Sequence, residues 1–254
     1  MRIIPLYPTK PSEKRTAFYT SFGIKDESVK HDFRVENGPD GKQLGCNVAS
    51  VTLCTHCAGP HLEVVSHIVE SAYPAKVSDA IESDKLENAI LITPEIGALG
   101  ESVDTYPVGT PGDIVVSRRA LVASLGDGKS EGCESVIIRI PETAFSIEHQ
   151  TGEIRDWPYL TVEAAAFLHS KFRHVRTNAP SIEKQYSEGG MWSHAIFFGV
   201  DANRSSGGNG IYEARTVGEL FHLPNEIGDG KYMLVCPFHE VGIDCALTLP
   251  FLMN

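Results

Sequence analysis

Short apolar runs, separated by segments rich in polar residues, Gly and Pro, recur along the middle and the end of the chain. Runs in which apolar residues follow one another without alternation are typical of strands buried on both faces of a sheet. These runs, with a short returning segment and a β-rich stretch near the start, predict strands at residues 47–55, 89–93, 135–140, 174–178, 194–199 and 232–236.

Three segments predict helices, at residues 79–86, 117–125 and 162–171. Thr161 is a natural N-cap for the third helix, and the alanines of that segment favour helix. Strands and helices alternate only in the middle of the chain, which favours a mixed sheet over a purely parallel, doubly wound one. The pattern therefore predicts an α/β protein whose mixed β-sheet core is flanked by helices.

The chain predicts one domain. No repeat, low-complexity tract or interdomain linker divides its 254 residues, so we expect a single domain over residues 1–254. Residues 1–45 mix charge, Pro and Gly, and they predict a loosely ordered arm that carries short strands. With 42% hydrophobic and 22% charged residues, the composition is that of a globular protein with a sizeable core.

The charge balance narrows the class of partner. The chain has 22 Lys and Arg against 33 Asp and Glu, which gives a formal net charge of -11. This charge opposes a general affinity for nucleic acid or for an anionic membrane, and we expect neither as a partner. A small-molecule substrate agrees better with it.

The N-terminus and the cysteines favour a cytoplasmic protein. Residues 1–8 contain two prolines and no long apolar core, unlike a secretory signal. No stretch of the chain approaches the roughly 18 consecutive apolar residues of a membrane helix. Six cysteines in a chain of this length do not form a disulfide framework, and we interpret them as reduced thiols.

Four side chains that bind metals fall within twelve residues: His56, His61, Glu63 and His67. Imidazole and carboxylate are ordinary ligands of divalent first-row ions, so the cluster predicts a metal site. His61 and Glu63 are two residues apart and face the same side of an extended chain. His56 has the wrong parity for that side, but a bulge or tight turn around Gly59 would return it there.

Structural roles compete with this interpretation. One histidine alone is more often a hydrogen-bonded structural residue than a ligand, but four ligand-type side chains at compatible positions reverse the balance. The cluster lacks the more specific patterns of two Cys-x-x-Cys pairs or a helical His-Glu-x-x-His. Cys57 is a rival ligand within it, although free cysteines are more often small core residues.

Distant segments offer further ligands, because one short segment rarely completes a coordination sphere. The candidates are His194, which opens a predicted strand, and Glu213, which follows the Gly-rich segment 205–210. A capped or solvated polar residue is an equally compatible role for each. The Gly-rich segment lacks the Lys-Ser or Lys-Thr of a phosphate-binding loop.

With these residues the chain resembles the cyclase-like metal-dependent hydrolases, which include bacterial kynurenine formamidase and isatin hydrolase. Their motif is His-x-Gly-Thr-His-x-Asp with a further His six residues after the second His. Gly59-Pro60-His61-Leu62-Glu63 and His67 are similar to it, with Glu for Asp, Pro for Thr, and His56 five positions before His61 instead of four. Other similar segments, within about residues 45–250, are 157–165, 178–183, His194 and Ile211-Tyr212-Glu213.

The resemblance implies a role for each candidate. It makes His56, His61 and Glu63 ligands of one divalent ion, and it makes Glu63, His194 and Glu213 ligands of a second. His67 takes the position of the general acid/base. A carboxylate that bridges two dications offsets part of their mutual repulsion.

The resemblance also implies a swivelling β/β/α fold and a homo-oligomer. The activity that it implies is hydrolysis of an amide or lactam C–N bond by metal-activated water. Zn and Mn both fit a His and carboxylate ligand set. The alternative is a catalytically impaired protein that binds a metal or a small molecule on the same scaffold, since a scaffold can persist while its site changes.

Overall fold

The computed structural model describes most of the chain in several stretches. These are residues 3–7, 28–37, 43–52, 54–56, 59–69, 76–147, 154–200, 214–240 and 244–254. For residues 28–37, 43–52, 146–147, 155 and 240 the backbone alone is described.

Within these residues the backbone forms seventeen strands. In chain order they are β1 (Ile3–Pro5), β2 (Ser28–Asn37), β3 (Gln43–Thr52), β4 (His61–Glu63), β5 (Glu87–Ile92), β6 (Gly97–Ala98), β7 (Ile114–Val116), β8 (Ser135–Ile138), β9 (Ser146–Ile147), β10 (Ile154–Arg155), β11 (Tyr159–Leu160), β12 (His174–Thr177), β13 (Thr216–Glu219), β14 (Gly230–Val235), β15 (Phe238–Glu240), β16 (Cys245–Thr248) and β17 (Phe251–Met253). The α-helices are α1 (Val77–Ala80), α2 (Arg118–Leu125), α3 (Val162–Lys171) and α4 (Trp192–Phe198).

Ten of the strands form one mixed sheet in the order β1-β17-β14-β5-β8-β12-β13-β4-β16-β15. The central strands β5, β8, β12 and β13 are parallel to their neighbours within that group. The strands on both sides pair antiparallel. The prediction of an α/β fold with a mixed sheet and flanking helices is confirmed.

Two apolar cores lie on opposite faces of this sheet. In β5, Ile90 and Ile92 belong to the first core, whereas Ala89 and Leu91 belong to the second. The first core also contains buried apolar side chains of α2, α3 and α4, such as Leu121, Leu168 and Phe197. Burial on both faces explains why the central strands have uninterrupted apolar runs in the sequence.

Most of the predicted elements are present. The strands predicted at residues 89–93, 135–140, 174–178 and 232–236 correspond to β5, β8, β12 and β14, and the segment 47–55 overlaps β3. The helix predicted at residues 162–171 has those bounds, and the Thr161 side chain accepts a hydrogen bond from the Ala164 N–H as its N-cap. The helix predicted at residues 79–86 is only the single turn α1, because the backbone is already extended at Ile81.

One predicted strand is wrong in type. Residues 194–199 belong to helix α4, whose N-cap Met191 and C-cap Gly199 both adopt left-handed backbone conformations. An apolar run of this length has the same pattern in a buried helix as in a buried strand. Five of the seven residues of α4 are buried, so no polar face marks it as a helix. Within the described residues, no helix has the length and apolar character needed to cross a membrane.

Candidate metal centre

Three neighbouring strands carry most of the candidate centre. Strand β4 lies between β13 and β16, with His61 opposite Glu219 on one side and Glu63 opposite Cys245 on the other. Directly opposite residues, and residues two apart on one strand, point to the same face of a sheet. These four side chains therefore share the face of Val217, which belongs to the first apolar core.

Glu63 lies in the middle of the cluster and is only 1% exposed. Its Oε1 atom lies 2.6 Å from His56 Nδ1 and 3.1 Å from His61 Nε2. Its Oε2 atom lies 3.3 Å from His194 Nε2. One carboxylate thus contacts imidazoles from three separate segments of the chain.

The turn at Gly59 orients His61. The His61 Nδ1–H donates to the Gly59 carbonyl oxygen at 2.9 Å, which leaves Nε2 as the ring atom that faces Glu63. Gly59 has a φ of +150°, a conformation that residues with a side chain rarely adopt. The bend expected between His56 and His61 is present at this glycine, while residues 57 and 58 lie outside the described part of the chain.

Glu183 orients His194 in a similar way. The His194 Nδ1 atom lies 3.1 Å from Glu183 Oε2, so the other ring nitrogen, Nε2, faces the cluster. Glu183 also accepts hydrogen bonds from the Ser193 backbone N–H at 3.0 Å and from the Tyr106 hydroxyl. A carboxylate that holds the far nitrogen of a metal-binding histidine fixes its tautomer and its ring orientation.

Glu219 is a member of the centre that the sequence analysis did not name. Its carboxylate lies 3.5 Å from His194 Nε2 and 3.7 Å from His61 Nε2, and it accepts a hydrogen bond from the Ile182 N–H at 2.7 Å. The predicted carboxylate, Glu213, lies outside the described residues. The signal for Glu219 is its place at the end of a buried β-type segment that begins at residue 216.

His67 and Asp244 form the more open side of the centre. His67 Nδ1 lies 3.3 Å from Asp244 Oδ2, and His67 Nε2 lies 3.8 Å from Glu63 Oε1. Asp244 Oδ2 also lies 3.1 Å from His56 Nε2. The hydrogen bond with His67 lowers the pKa of Asp244 to about 2, although burial opposes that shift.

The carboxylates of the cluster favour positive charge beside them, as the pKa shifts of His56 and Glu63 indicate. Burial alone would lower the pKa of His56, but hydrogen bonds with Cys245 and Glu63 raise it to about 12. Burial alone would raise the pKa of Glu63, but the charge of His67 and the contact with His194 hold it well below its usual range. A proton on His56 thus offsets the carboxylate charge beside it, and a metal ion is another cation that can do so.

Two buried atoms at the middle of the centre support the presence of a metal ion. Among the described residues, Glu63 Oε2 and His194 Nε2 are buried without a hydrogen-bond partner, although they face each other. Burial alone would lower the pKa of His194, but hydrogen bonds with Glu183 hold it well above its usual range. Buried polar atoms are almost always satisfied, so this pair indicates a missing group. Imidazole and carboxylate donors fit a divalent first-row ion.

The structure brings together five of the six residues that the sequence analysis selected: His56, His61, Glu63, His67 and His194. Three groups of donor atoms lie close enough to share an ion: His56 with Glu63 and His67, His61 with Glu63 and Glu219, and His56 with His61 and Cys245. The cluster can therefore hold a divalent metal through histidine and carboxylate ligands.

Sequence comparison finds no relatives: no protein-family model matches the chain, and no curated protein matches it. Structural comparison finds solved proteins of the same fold. A potential metal-dependent hydrolase with cyclase activity matches with a TM-score of 0.57 and 15% identity, over 100% of this chain and 98% of that one. Isatin hydrolase A from Labrenzia aggregata, bound to benzyl benzoate, matches with a TM-score of 0.58 and 11% identity, over 99% and 93%.

An isatin hydrolase bound to the product analogue thioisatinate matches with a TM-score of 0.59 and 10% identity, over 100% of this chain and 92% of that one. At these identities the likeness establishes a shared fold. The chain therefore shares the mixed α/β fold of these proteins, and the resemblance inferred from its residues is confirmed at the level of the fold.

Proposed function

We propose that this chain is a metal-dependent hydrolase that cleaves an amide or lactam C–N bond in a small molecule. The observation that carries the proposal is the pair of buried, unsatisfied atoms Glu63 Oε2 and His194 Nε2, which lie 3.3 Å apart. Buried polar atoms that face each other without a well-formed hydrogen bond are rare in proteins and favour a further ligand between them. The fold shared with isatin hydrolases supports the hydrolase class.

The ligands divide into two groups around Glu63. His56 and His61 contact its Oε1 atom and would hold one ion with it. His194 faces its Oε2 atom and would hold a second ion, with Glu219 as a further carboxylate. Glu213, which the family resemblance selects, remains a rival for this last position.

The reaction needs an activated water and a group that moves protons. A bound divalent ion lowers the pKa of water and polarises a carbonyl oxygen, which is the chemistry that it would supply here. Asp244 accepts from His67 Nδ1–H, so Nε2 is the atom left to exchange protons. His67 is also partly open to solvent, which lets it take a proton near the ligands and deliver it to a leaving nitrogen.

The first test separates metal binding from proton transfer. Protein purified without chelator should contain at least one equivalent of divalent ion by mass spectrometry and should hydrolyse an N-formyl arylamine or the lactam of isatin. His67→Ala should retain the ion, whereas kcat should fall by about 10²- to 10⁴-fold, the usual contribution of a general acid/base. His222→Ala is the matched control, because His222 is exposed and takes no part in the centre.

The other outcomes of this test decide the role of His67, the amidase activity and the metal binding in turn. Loss of the ion in His67→Ala would make His67 a ligand and reject its role in proton transfer. An ion bound without turnover of either substrate type would favour the metal-binding protein without amidase activity. Protein that neither retains nor takes up a divalent ion would overturn the proposed function.

A further inference from the structure

Cys245 lies at the centre but has no role in the proposed ligand set. It is directly opposite Glu63 on the adjacent strand β16, so its side chain points to the same face of the sheet. The residue is fully buried, and its thiol is within hydrogen-bonding reach of the side chains of His56 and Thr55.

The surroundings of Cys245 differ from those of a core cysteine. Cys236 is buried within the second apolar core, with its thiol near Arg176 but away from the histidines of the centre. Cys245 is equally buried but belongs to none of the apolar clusters of the described residues. A thiol held among imidazoles and a carboxylate has the environment of a ligand.

The distances allow coordination. The Cys245 Sγ atom, a His56 ring nitrogen and a His61 ring nitrogen all lie within 4.8 Å of one another. Two ligands bound to one tetrahedral zinc ion at about 2.0–2.3 Å each lie roughly 3.3–3.6 Å apart, so the donor atoms need to approach one another by about 1.5 Å at most. Glu63 Oε1, which contacts both histidines, lies 2.6 Å from His56 Nδ1 and 3.1 Å from His61 Nε2, so this group of donors adjoins the carboxylate of the centre.

We propose that Cys245 is a thiolate ligand of the ion held by His56 and His61, and that it makes this position selective for zinc over manganese. The proposal rests on the proposed function, since it requires the metal centre. When the sulfur–metal bond forms, the thiol proton is released to solvent. Thiolate is a soft ligand that favours zinc, whereas a site of imidazole and carboxylate alone also accepts manganese.

Cobalt substitution tests the sulfur ligand directly. Metal-free full-length protein reconstituted with Co²⁺ should show a thiolate-to-cobalt charge-transfer band in the near ultraviolet, besides the visible bands of the bound ion. Cys245→Ser should lose the charge-transfer band and keep the visible bands. Cys236→Ser is the matched control, because it removes a buried thiol away from the centre, and it should keep both.

Metal preference gives a second measurement that does not depend on activity. Cys245→Ser should weaken zinc binding by at least about tenfold, the lower end of the loss seen when a supporting group around a metal is removed. Its affinity for manganese should change less, so the zinc-to-manganese preference should fall. Cys245→Ala and circular dichroism guard against an effect of the serine hydroxyl or of misfolding.

The contrary results separate the two proposals. Visible cobalt bands without a charge-transfer band in the unmodified protein would overturn the role of Cys245 while the metal centre stands. A charge-transfer band that persists in Cys245→Ser would also overturn it. If no cobalt binds, both the ligand assignment and the proposed function fail.

Discussion

Glu219 is buried against two histidines of the centre, and it offers a test at the scale of one residue. Glu219→Gln keeps a carbonyl oxygen for the hydrogen bond from the Ile182 N–H but removes the negative charge. We expect the variant to lose one equivalent of bound metal and to bind the remaining ion more weakly, because an amide is a poorer ligand than a carboxylate. Metal analysis and calorimetric titration measure both effects.

Two further variants make this result interpretable. Glu142→Gln, at an exposed position away from the centre, should keep full metal content. Glu213→Gln tests the carboxylate that the family resemblance selects. Loss of metal in Glu213→Gln alone would reject Glu219 as a ligand and support Glu213 in that role.

The sequence predicts the residues of the centre only where they lie close together along the chain. The spacing of His56, His61, Glu63 and His67 is visible in one short segment, because side chains two apart on a strand share a face. Glu219 and Cys245 reach the same face through strand pairing with β4, and no spacing in the sequence encodes that register. Asp244 was missed for the same reason.

Strand β13 packs closely against its neighbours, and this packing places Glu219 at the centre. Gly218 permits the close approach, because it has no Cβ atom. A Cβ atom at Gly218 would lie 2.5 Å from Arg176 Cδ, 2.8 Å from Phe221 Cε2 and 3.1 Å from Leu62 Cδ2. We expect Gly218→Ala to lower the free energy of unfolding by about 1–3 kcal/mol, the usual cost of overpacking a core. Urea denaturation measures the change.

The control for this variant is Gly228→Ala. A Cβ atom there meets nothing within 4 Å, and the glycine has no positive φ, so the free energy of unfolding should stay unchanged. Equal unfolding midpoints for Gly218→Ala and the unmodified protein would mean that Arg176 and its neighbours move aside without cost. The tight approach would then not be what fixes β13.

Elements were predictable where a cap or a polar boundary marks them. Thr161 and the alanines that follow it define α3 to the residue, because the N-cap and the helix propensity agree. Helix α4 was mistaken for a strand, since nearly all of its side chains are buried and leave no helical period of polar residues. His194 is therefore presented from a helix, not from a strand end.

At the scale of the whole molecule, metal binding and proton binding compete. The raised pKa of His56, at about 12, stabilises the metal-free fold fully below the unfolded value of about 6.5, and this contribution declines as the pH rises toward 12. The low pKa of Asp244 acts in the opposite sense, and its contribution is lost as the pH falls from about 4 to about 2. Bound metal must displace the protons on the histidines, so its affinity rises with pH.

This competition predicts how zinc affects thermal stability. A hundredfold excess of zinc over its Kd adds about 2.7 kcal/mol, or roughly 5–10 °C in Tm for a chain of this size. The difference in Tm between zinc and chelator should be small near about pH 6 and larger near about pH 8, as scanning calorimetry would show. In Glu63→Gln the difference in Tm between zinc and chelator should be small at either pH. A difference in Tm that narrows as the pH rises in the unmodified protein would contradict the exchange of metal for protons.

The sequence predicts the class of architecture but not the order of the strands in the sheet. Buried apolar runs and intervening helices indicated a mixed sheet, because strands covered on both faces are apolar throughout. The antiparallel insertion of β4 between β13 and β16 was not predictable, since three residues carry too little pattern to define a neighbour. That insertion is what builds the centre.

The same insertion ties the centre to the order in which the fold forms. Strand β4 comes early in the chain, whereas β13 and β16, which lie on either side of it, come near the end. Contacts between residues so far apart cost chain entropy to close, and folds rich in such contacts form slowly. A chain interrupted before residue 216 has the histidine cluster but neither flanking strand, so retention of metal by a nascent or refolding chain would report that the sheet is complete.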